Sequence, residues 1–306
     1  MIVSASYKTD IPAFYGDWFR HRLAAGYAVV RNPWGGGTFT VRLDRESVDG
    51  FVFWTRNVGP FLATLDDLAA RNRPFIVQMT VTGYPRALER AVIDPDRAVA
   101  QIRTLASRFG PRSVVWRYDP VLITDATGPA FHRETVARLA GELGGVVDEV
   151  VLSFATIYRK TRLNLDRAGI AWRDPDDDAK RALLAELAEL AAIARDAGLT
   201  PTLCAQPDLL VEGLAGAACV DAARLSDVAG RSIPAKVKGN RPGCFCAESR
   251  DIGAYDTCPH GCLYCYAVSR PETARRAQKR HDPSAETLTA RSDHDQMKSS
   301  DRVNPA

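Results

Sequence analysis

Short apolar runs alternate with helical runs along the first two-thirds of the chain, and this rhythm most restricts its fold. Residues 2–5 are apolar and are followed by an amphipathic stretch over 11–25. Residues 27–30 are the next strand candidate, and 38–43 alternates polar and apolar as a short extra strand. Residues 51–54 precede a helical run over 58–70. Residues 75–81 precede a helix that begins at Asp96, with Asp94-Pro95 as its cap. Strand 113–118, helix 132–143, strand 149–154 and a long Ala/Leu/Glu helix over 179–197 continue the series. Strand 200–205 and helix 220–228 close it. Strands separated by helical patterns imply right-handed βαβ units and a parallel sheet. Seven such strands suit a TIM-like (β/α) barrel, closed or partial; a doubly wound open sheet is the alternative, because periodicity does not separate the two.

The composition shifts near Ser232. Residues 233–250 are rich in Pro, Lys, Gly, Asn and Cys and read as an extended loop; 271–279 reads as helix. After Asp282 the chain is polar, with almost no apolar residues to bury. The expected organisation is a barrel domain over 1–231, a cysteine-rich segment over 232–281 packed on it, and a disordered polar tail over 282–306. Apolar residues make up 46% of the chain, yet no run approaches the ~20 that a membrane-spanning helix needs. The N-terminus has no signal-peptide pattern, so a cytoplasmic location is expected. A net charge of +3 is too small to require a nucleic-acid partner, though it does not exclude one.

Seven cysteines are present, and five of them lie between 244 and 265. An odd total with no export signal argues against a disulfide framework and for metal. The strongest local pattern is Cys258-Pro259-His260-Gly261-Cys262-Leu263-Tyr264-Cys265, a C-x3-C-x2-C spacing. Three thiolates on one short loop can each reach a different iron of one cube and leave the fourth iron free. Gly261 lets the backbone turn, and His260 reads as an outer-shell group. Structural zinc is the competing reading, because Cys244 and Cys246 lie just upstream and any four of the five thiols could make a tetrahedral site. The C-x-C pair could equally supply a fourth cluster ligand or form a redox pair. Cys204 and Cys219 sit in apolar runs and read as core.

The cysteine loop, with its spacing, Gly261 and Tyr264, resembles the cluster loop of the radical S-adenosylmethionine enzymes. That resemblance implies a [4Fe–4S] cluster on Cys258, Cys262 and Cys265, with S-adenosylmethionine chelating the open iron. A reductant such as flavodoxin or ferredoxin would then drive formation of a 5′-deoxyadenosyl radical, acting on a small-molecule or macromolecular substrate. In that family the loop follows the first strand. Here it comes last, as in a circular permutation, with 251–257 as the approach strand and 271–279 as the helix after the loop. Further segments extend the likeness: Ser4-Ala5-Ser6-Tyr7-Lys8-Thr9-Asp10, Arg31-Asn32-Pro33, Phe53-Trp54-Thr55-Arg56-Asn57, Trp116-Arg117-Tyr118-Asp119-Pro120 and Asp251-Ile252-Gly253-Ala254-Tyr255. Together they resemble the bacterial family known as DUF1848, over roughly 1–268, which carries such a cysteine cluster. The run Trp34-Gly35-Gly36-Gly37 departs from that family and reads as a flexible turn.

In a β/α barrel the chemistry sits at the C-terminal ends of the strands. Arg31, Arg117 and Asp119 are the candidate catalytic groups there. Ser4, Asp10, Asn32 and Gln78 are candidate cofactor-binding groups, with Tyr264 from the loop. An Arg within an apolar strand is costly to bury unpaired, so Arg117 is expected to meet a carboxylate or a substrate; an internal pair with Asp119 would only order the barrel mouth. Two other classes of function fit the same residues: a zinc- or cluster-stabilised binding protein, and a nucleic-acid-processing enzyme with a structural cluster.

Overall fold

Apolar runs flanked by helices become adjacent parallel strands. The computed structural model describes residues 1–33, 35, 37–173 and 177–289. In chain order its strands are β1 (Ile2–Ala5), β2 (Tyr27–Arg31), β3 (Thr38–Arg42), β4 (Gly50–Thr55), β5 (Phe75–Thr80), β6 (Val114–Val121), β7 (Glu149–Phe154), β8 (Thr200–Leu203), β9 (Ala215–Gly216) and β10 (Ser249–Asp251). The helices are α1 (Ile11–Phe14), α2 (Gly16–Ala25), α3 (Leu62–Ala70), α4 (Pro95–Phe109), α5 (Pro129–Leu143), α6 (Arg159–Arg167), α7 (Asp177–Asp196), α8 (Ala222–Ala229) and α9 (Pro271–Lys279). Asp94 caps α4 by accepting from the Asp96 N–H at 3.0 Å, as its sequence predicts.

Eight strands form one sheet in the order β10-β1-β4-β5-β6-β7-β8-β9, and every pairing in it is parallel. The chain is thus a mixed α/β protein built on a large parallel sheet. Among the described residues no ladder joins β9 to β10, so closure of a barrel is not shown. The expected second strand is not in this sheet. β2 pairs antiparallel with β3 in a separate two-stranded sheet, because the short link from Arg31 to Thr38 cannot make a parallel crossover.

Alternate residues of each central strand face opposite ways, and both faces are buried. Val3, Phe51, Phe53, Val77, Met79, Trp116 and Leu152 join the larger core with Trp18 and Phe19 of α2, Leu65 of α3, Ile102 of α4, Leu139 of α5 and Leu190 of α7. Ile2, Val52, Ile76, Val115 and Val151 face the other way, onto Leu225 of α8 and onto Cys204, Cys219, Val220, Ile233, Cys246 and Ala247. Residues from the segment beyond 231 therefore fill the second face, and β10 from that segment borders β1. The approach strand expected over 251–257 is instead β10, which ends at Asp251.

Residues 282–289 differ from the expected disordered tail. Trp18 Nε1 donates to Ala285 O at 2.9 Å, Arg22 donates to Ser284 O at 2.9 Å, Val29 N donates to Glu286 O, and Leu288 is buried. Backbone carbonyls supply most of this anchoring, and the Glu286 carboxylate adds a hydrogen bond from the Tyr27 hydroxyl. The rest of that tail, 290–306, lies outside the described residues, as do Trp34 and Gly36 of the glycine run.

Candidate functional site

The cysteine loop lies over the C-terminal ends of the strands, held there by hydrogen bonds and one buried ion pair. Leu263 N donates to Leu88 O at 3.0 Å, Ala91 N donates to His260 O at 2.9 Å, and Cys262 bridges Glu89. Glu89 follows β5 and pairs with Arg56, which follows β4, at 2.7 Å; both side chains are buried. Thr82 Oγ1 donates to Glu89 at 2.6 Å, and the Tyr264 hydroxyl binds Glu89 and Arg56. Burial disfavours the Arg56 charge, but Glu89 and Tyr264 outweigh it and hold its pKa well above the usual value. Asp10, after β1, accepts from Ala13 N, from Arg56 N and from His260 Nε2 at 2.7 Å. Asp10 and Tyr264 thus secure the loop to the sheet. Gly261 takes a φ of 73°, where a side chain would be strained.

Cys258, Cys262 and Cys265 converge within this frame. The Cys262 thiol feels both Cys258 and Cys265, and Arg56 lies against Cys262 and Cys265. Burial, followed by the charge of Asp10, pushes the Cys258 thiol up to about 12. The donor set fits a cube held at three corners: three thiols gathered on one loop, with Arg56 and Lys160 near enough to offset negative charge at Cys265. Among the described residues no group of three or more His, Cys, Asp and Glu stands at single-ion spacing. Thiolates that bind separate irons of a cube have no need of that spacing.

A polar layer borders the loop on the inner face of the sheet. Asp251, the last residue of β10, accepts from Ser4 Oγ at 2.9 Å, Ser6 Oγ at 2.9 Å, Tyr7 N at 3.1 Å and Gly253 N at 2.9 Å, and Lys8 Nζ lies 3.3 Å away. Ser4 also accepts from Trp54 Nε1. Arg117 pairs with Asp119, donates to Cys219 Sγ at 2.9 Å and to Gln78 Oε1 at 3.3 Å, and lies 4.9 Å from the Trp54 ring centre. Ser153 Oγ donates to Asp119, and Gln78 Nε2 donates to Cys219 O at 2.9 Å. Arg117 and Asp119 therefore form the internal pair that sequence reasoning weighed against a substrate contact. Outward of this layer, Lys8 and Lys160 both approach the Tyr255 ring, and Tyr266 donates to Tyr7 O. A cleft lined by Arg56, Thr80, Thr82, Tyr84, Arg86 and Glu89 opens beside the ion pair.

Ser4, Gln78, Arg117 and Asp119 thus share the inner face, and Asp10 and Tyr264 share the loop anchor. Arg31, the last residue of β2, and Asn32, which follows it, lie on the separate hairpin. Sequence reasoning missed Lys8, Glu89, Asp251 and Tyr255. Lys8, Asp251 and Tyr255 lie within the segments that carry the family likeness, and that was their available signal. Glu89 follows an irregular stretch and had none.

The cysteines divide into two sets. Cys244 and Cys246 lie with Cys204 and Cys219, not with the loop. Cys219 Sγ is 3.5 Å from Cys204 Sγ, and the Cys246 thiol hydrogen-bonds with both Cys219 and Cys244.

The fold and site define a parallel-sheet α/β protein with a three-cysteine loop over the C-terminal ends of its strands. The chain matches the model of the domain of unknown function DUF1848 over residues 2–267, and it belongs to that family. No curated protein matches it. Among the described residues no helix is long and apolar enough to cross a membrane.

Proposed function

We propose that the chain is an iron–sulfur enzyme related to the radical S-adenosylmethionine enzymes, with Cys258, Cys262 and Cys265 holding a [4Fe–4S] cluster. The observation that carries this is the position of the three thiols, gathered over the ends of β1, β4 and β5 and beside the polar layer around Asp251. Strand order supports it. Within the sheet β1 and β4 to β9 lie in chain order, as right-handed βαβ crossovers in one direction leave them, and α2 to α5 and α7 pack on one face. β10 beside β1 then returns the chain to its start, as a partial barrel with the cluster loop permuted to the end.

When bound, the cluster and S-adenosylmethionine supply one-electron reductive cleavage of a sulfonium C–S bond. The residues of this chain bind and orient. Arg56 and Lys160 offset negative charge at the thiolates. Lys8, beside Asp251, supplies a cation for a carboxylate, and Tyr7 and Tyr255 supply aromatic surface for an adenine or a sulfonium cation. Arg117, clamped by Asp119, orders the inner wall by holding Gln78 and Cys219 in place. The test is single-turnover assay of the anaerobically purified, reduced protein: 5′-deoxyadenosine forms with the native chain and not with Cys262→Ser. Equal yields from both chains would refute the assignment.

A further inference from the structure

The remaining four cysteines form a cluster of their own. Cys204 directly follows β8, Cys219 precedes α8, and Cys244 and Cys246 sit on the loop that leads to β10. Although 42 positions separate the first from the last in sequence, their sulfurs are linked in a chain: Cys204 to Cys219 at 3.5 Å, then Cys246, then Cys244. Three of the four residues are buried, and Cys244 is part-exposed.

We propose that these four thiols are a structural zinc site, distinct from the cysteine loop. Zinc prefers four thiolates in a tetrahedron, and Zn–S bonds of about 2.3 Å set neighbouring sulfurs about 3.8 Å apart. The Cys204–Cys219 separation already approaches this value. Donors from outside the cluster reach Cys204, Cys219 and Cys246. Arg117 donates to Cys219 Sγ at 2.9 Å, Arg241 donates to Cys204 Sγ at 3.6 Å, and Val220 N donates to Cys246 Sγ at 3.3 Å. Such N–H···S bonds and nearby cations offset the charge of a zinc tetrathiolate. Among the described residues no three of these side chains stand at the spacing of a bound ion, so the shell tightens around the ion on binding. Cys244, the part-exposed member, is the ligand that would complete the shell. Binding exchanges thiol protons for one Zn2+ and changes no oxidation state. The bound ion would tie β8, the start of α8 and the 239–246 loop together beneath Arg117.

The proposal is independent of the iron–sulfur reading, and one chain separates them. Cys258→Ser/Cys262→Ser/Cys265→Ser, purified anaerobically, lacks the loop thiols and keeps the four. Metal analysis of it should give about one zinc per chain, and Co2+ added to the zinc-stripped protein should give the visible bands of tetrahedral thiolate coordination. Adding Cys244→Ser, the part-exposed ligand whose loss least threatens the fold, should weaken Co2+ binding by about tenfold or more. A zinc-free chain without cobalt bands overturns the proposal. So does iron at this site, a Cys204–Cys219 disulfide in the peptide map, or unchanged Co2+ affinity after Cys244→Ser.

Discussion

Breaking the Arg56–Glu89 pair should release the cysteine loop from the sheet. The pair is buried at both ends, with side-chain exposures of 9% and 4%, and joins the end of β4 to the segment that bridges Cys262. Arg56→Met removes the cation and leaves the Glu89 carboxylate with only Thr82 and Tyr264 as donors. Removal of one partner of a buried pair typically costs about 3–5 kcal/mol, since an uncompensated charge stays buried. Replacing both partners with apolar residues of similar size costs far less, so Arg56→Met/Glu89→Leu should be more stable than Arg56→Met alone. The assay is urea unfolding followed by tryptophan fluorescence, on the native chain and on the triple serine chain that lacks the loop thiols. Comparing the two backgrounds separates the ion pair from any metal. Hydrogen exchange should localise the first opening to 258–265. Single substitutions that cost under about 1 kcal/mol and add simply in the double variant would refute the reasoning.

Other regions make their own predictions. His132 is fully buried in the neutral form: Nδ1 accepts from the Tyr118 hydroxyl at 2.8 Å and Nε2 donates to Leu122 O at 3.2 Å. Burial lowers its pKa from 6.5 to about 4. The unfolded chain therefore takes up this proton first, so the stabilisation present above 6.5 is lost as pH falls from 6.5 toward 4. That loss is about 3 kcal/mol; urea midpoints across this range should show it, and His132→Gln should abolish that part of the slope. Asp251→Asn leaves Lys8, itself almost buried, without its anion. Unfolding measurements should show a loss of about 3 kcal/mol, while Asp49→Asn at an exposed pair should cost under about 1 kcal/mol. Gly253→Ala would drive a methyl into the Ser6 side chain, and thermal melts should register about 1–3 kcal/mol of overpacking.

Much of the sheet was legible because parallel strands buried on both faces read as unbroken apolar runs, as Phe51-Val52-Phe53-Trp54 does. β2 has the same apolar look over 27–30, yet its burial alternates and its partner β3 is only a short turn away. That separation was visible and should have marked a hairpin. β9 and β10 span two and three residues, too few for any periodicity to register. The same limit applies to the sites. The C-x3-C-x2-C loop is contiguous and stood out, whereas Cys204 and Cys219 looked like core because their neighbours in sequence are apolar. Only the fold brings them to Cys244 and Cys246. Asp251 was hidden for a similar reason: its donors Ser4, Ser6 and Lys8 lie at the other end of the chain.

The most direct test of the iron–sulfur assignment is anaerobic absorbance with iron analysis, run side by side on the native chain and on Cys258→Ser/Cys262→Ser/Cys265→Ser. A cluster on the loop gives a broad thiolate-to-iron band and about four irons per chain in the native protein, with both absent from the variant. A native protein that is colourless and iron-free, or a variant that keeps its iron, would contradict it.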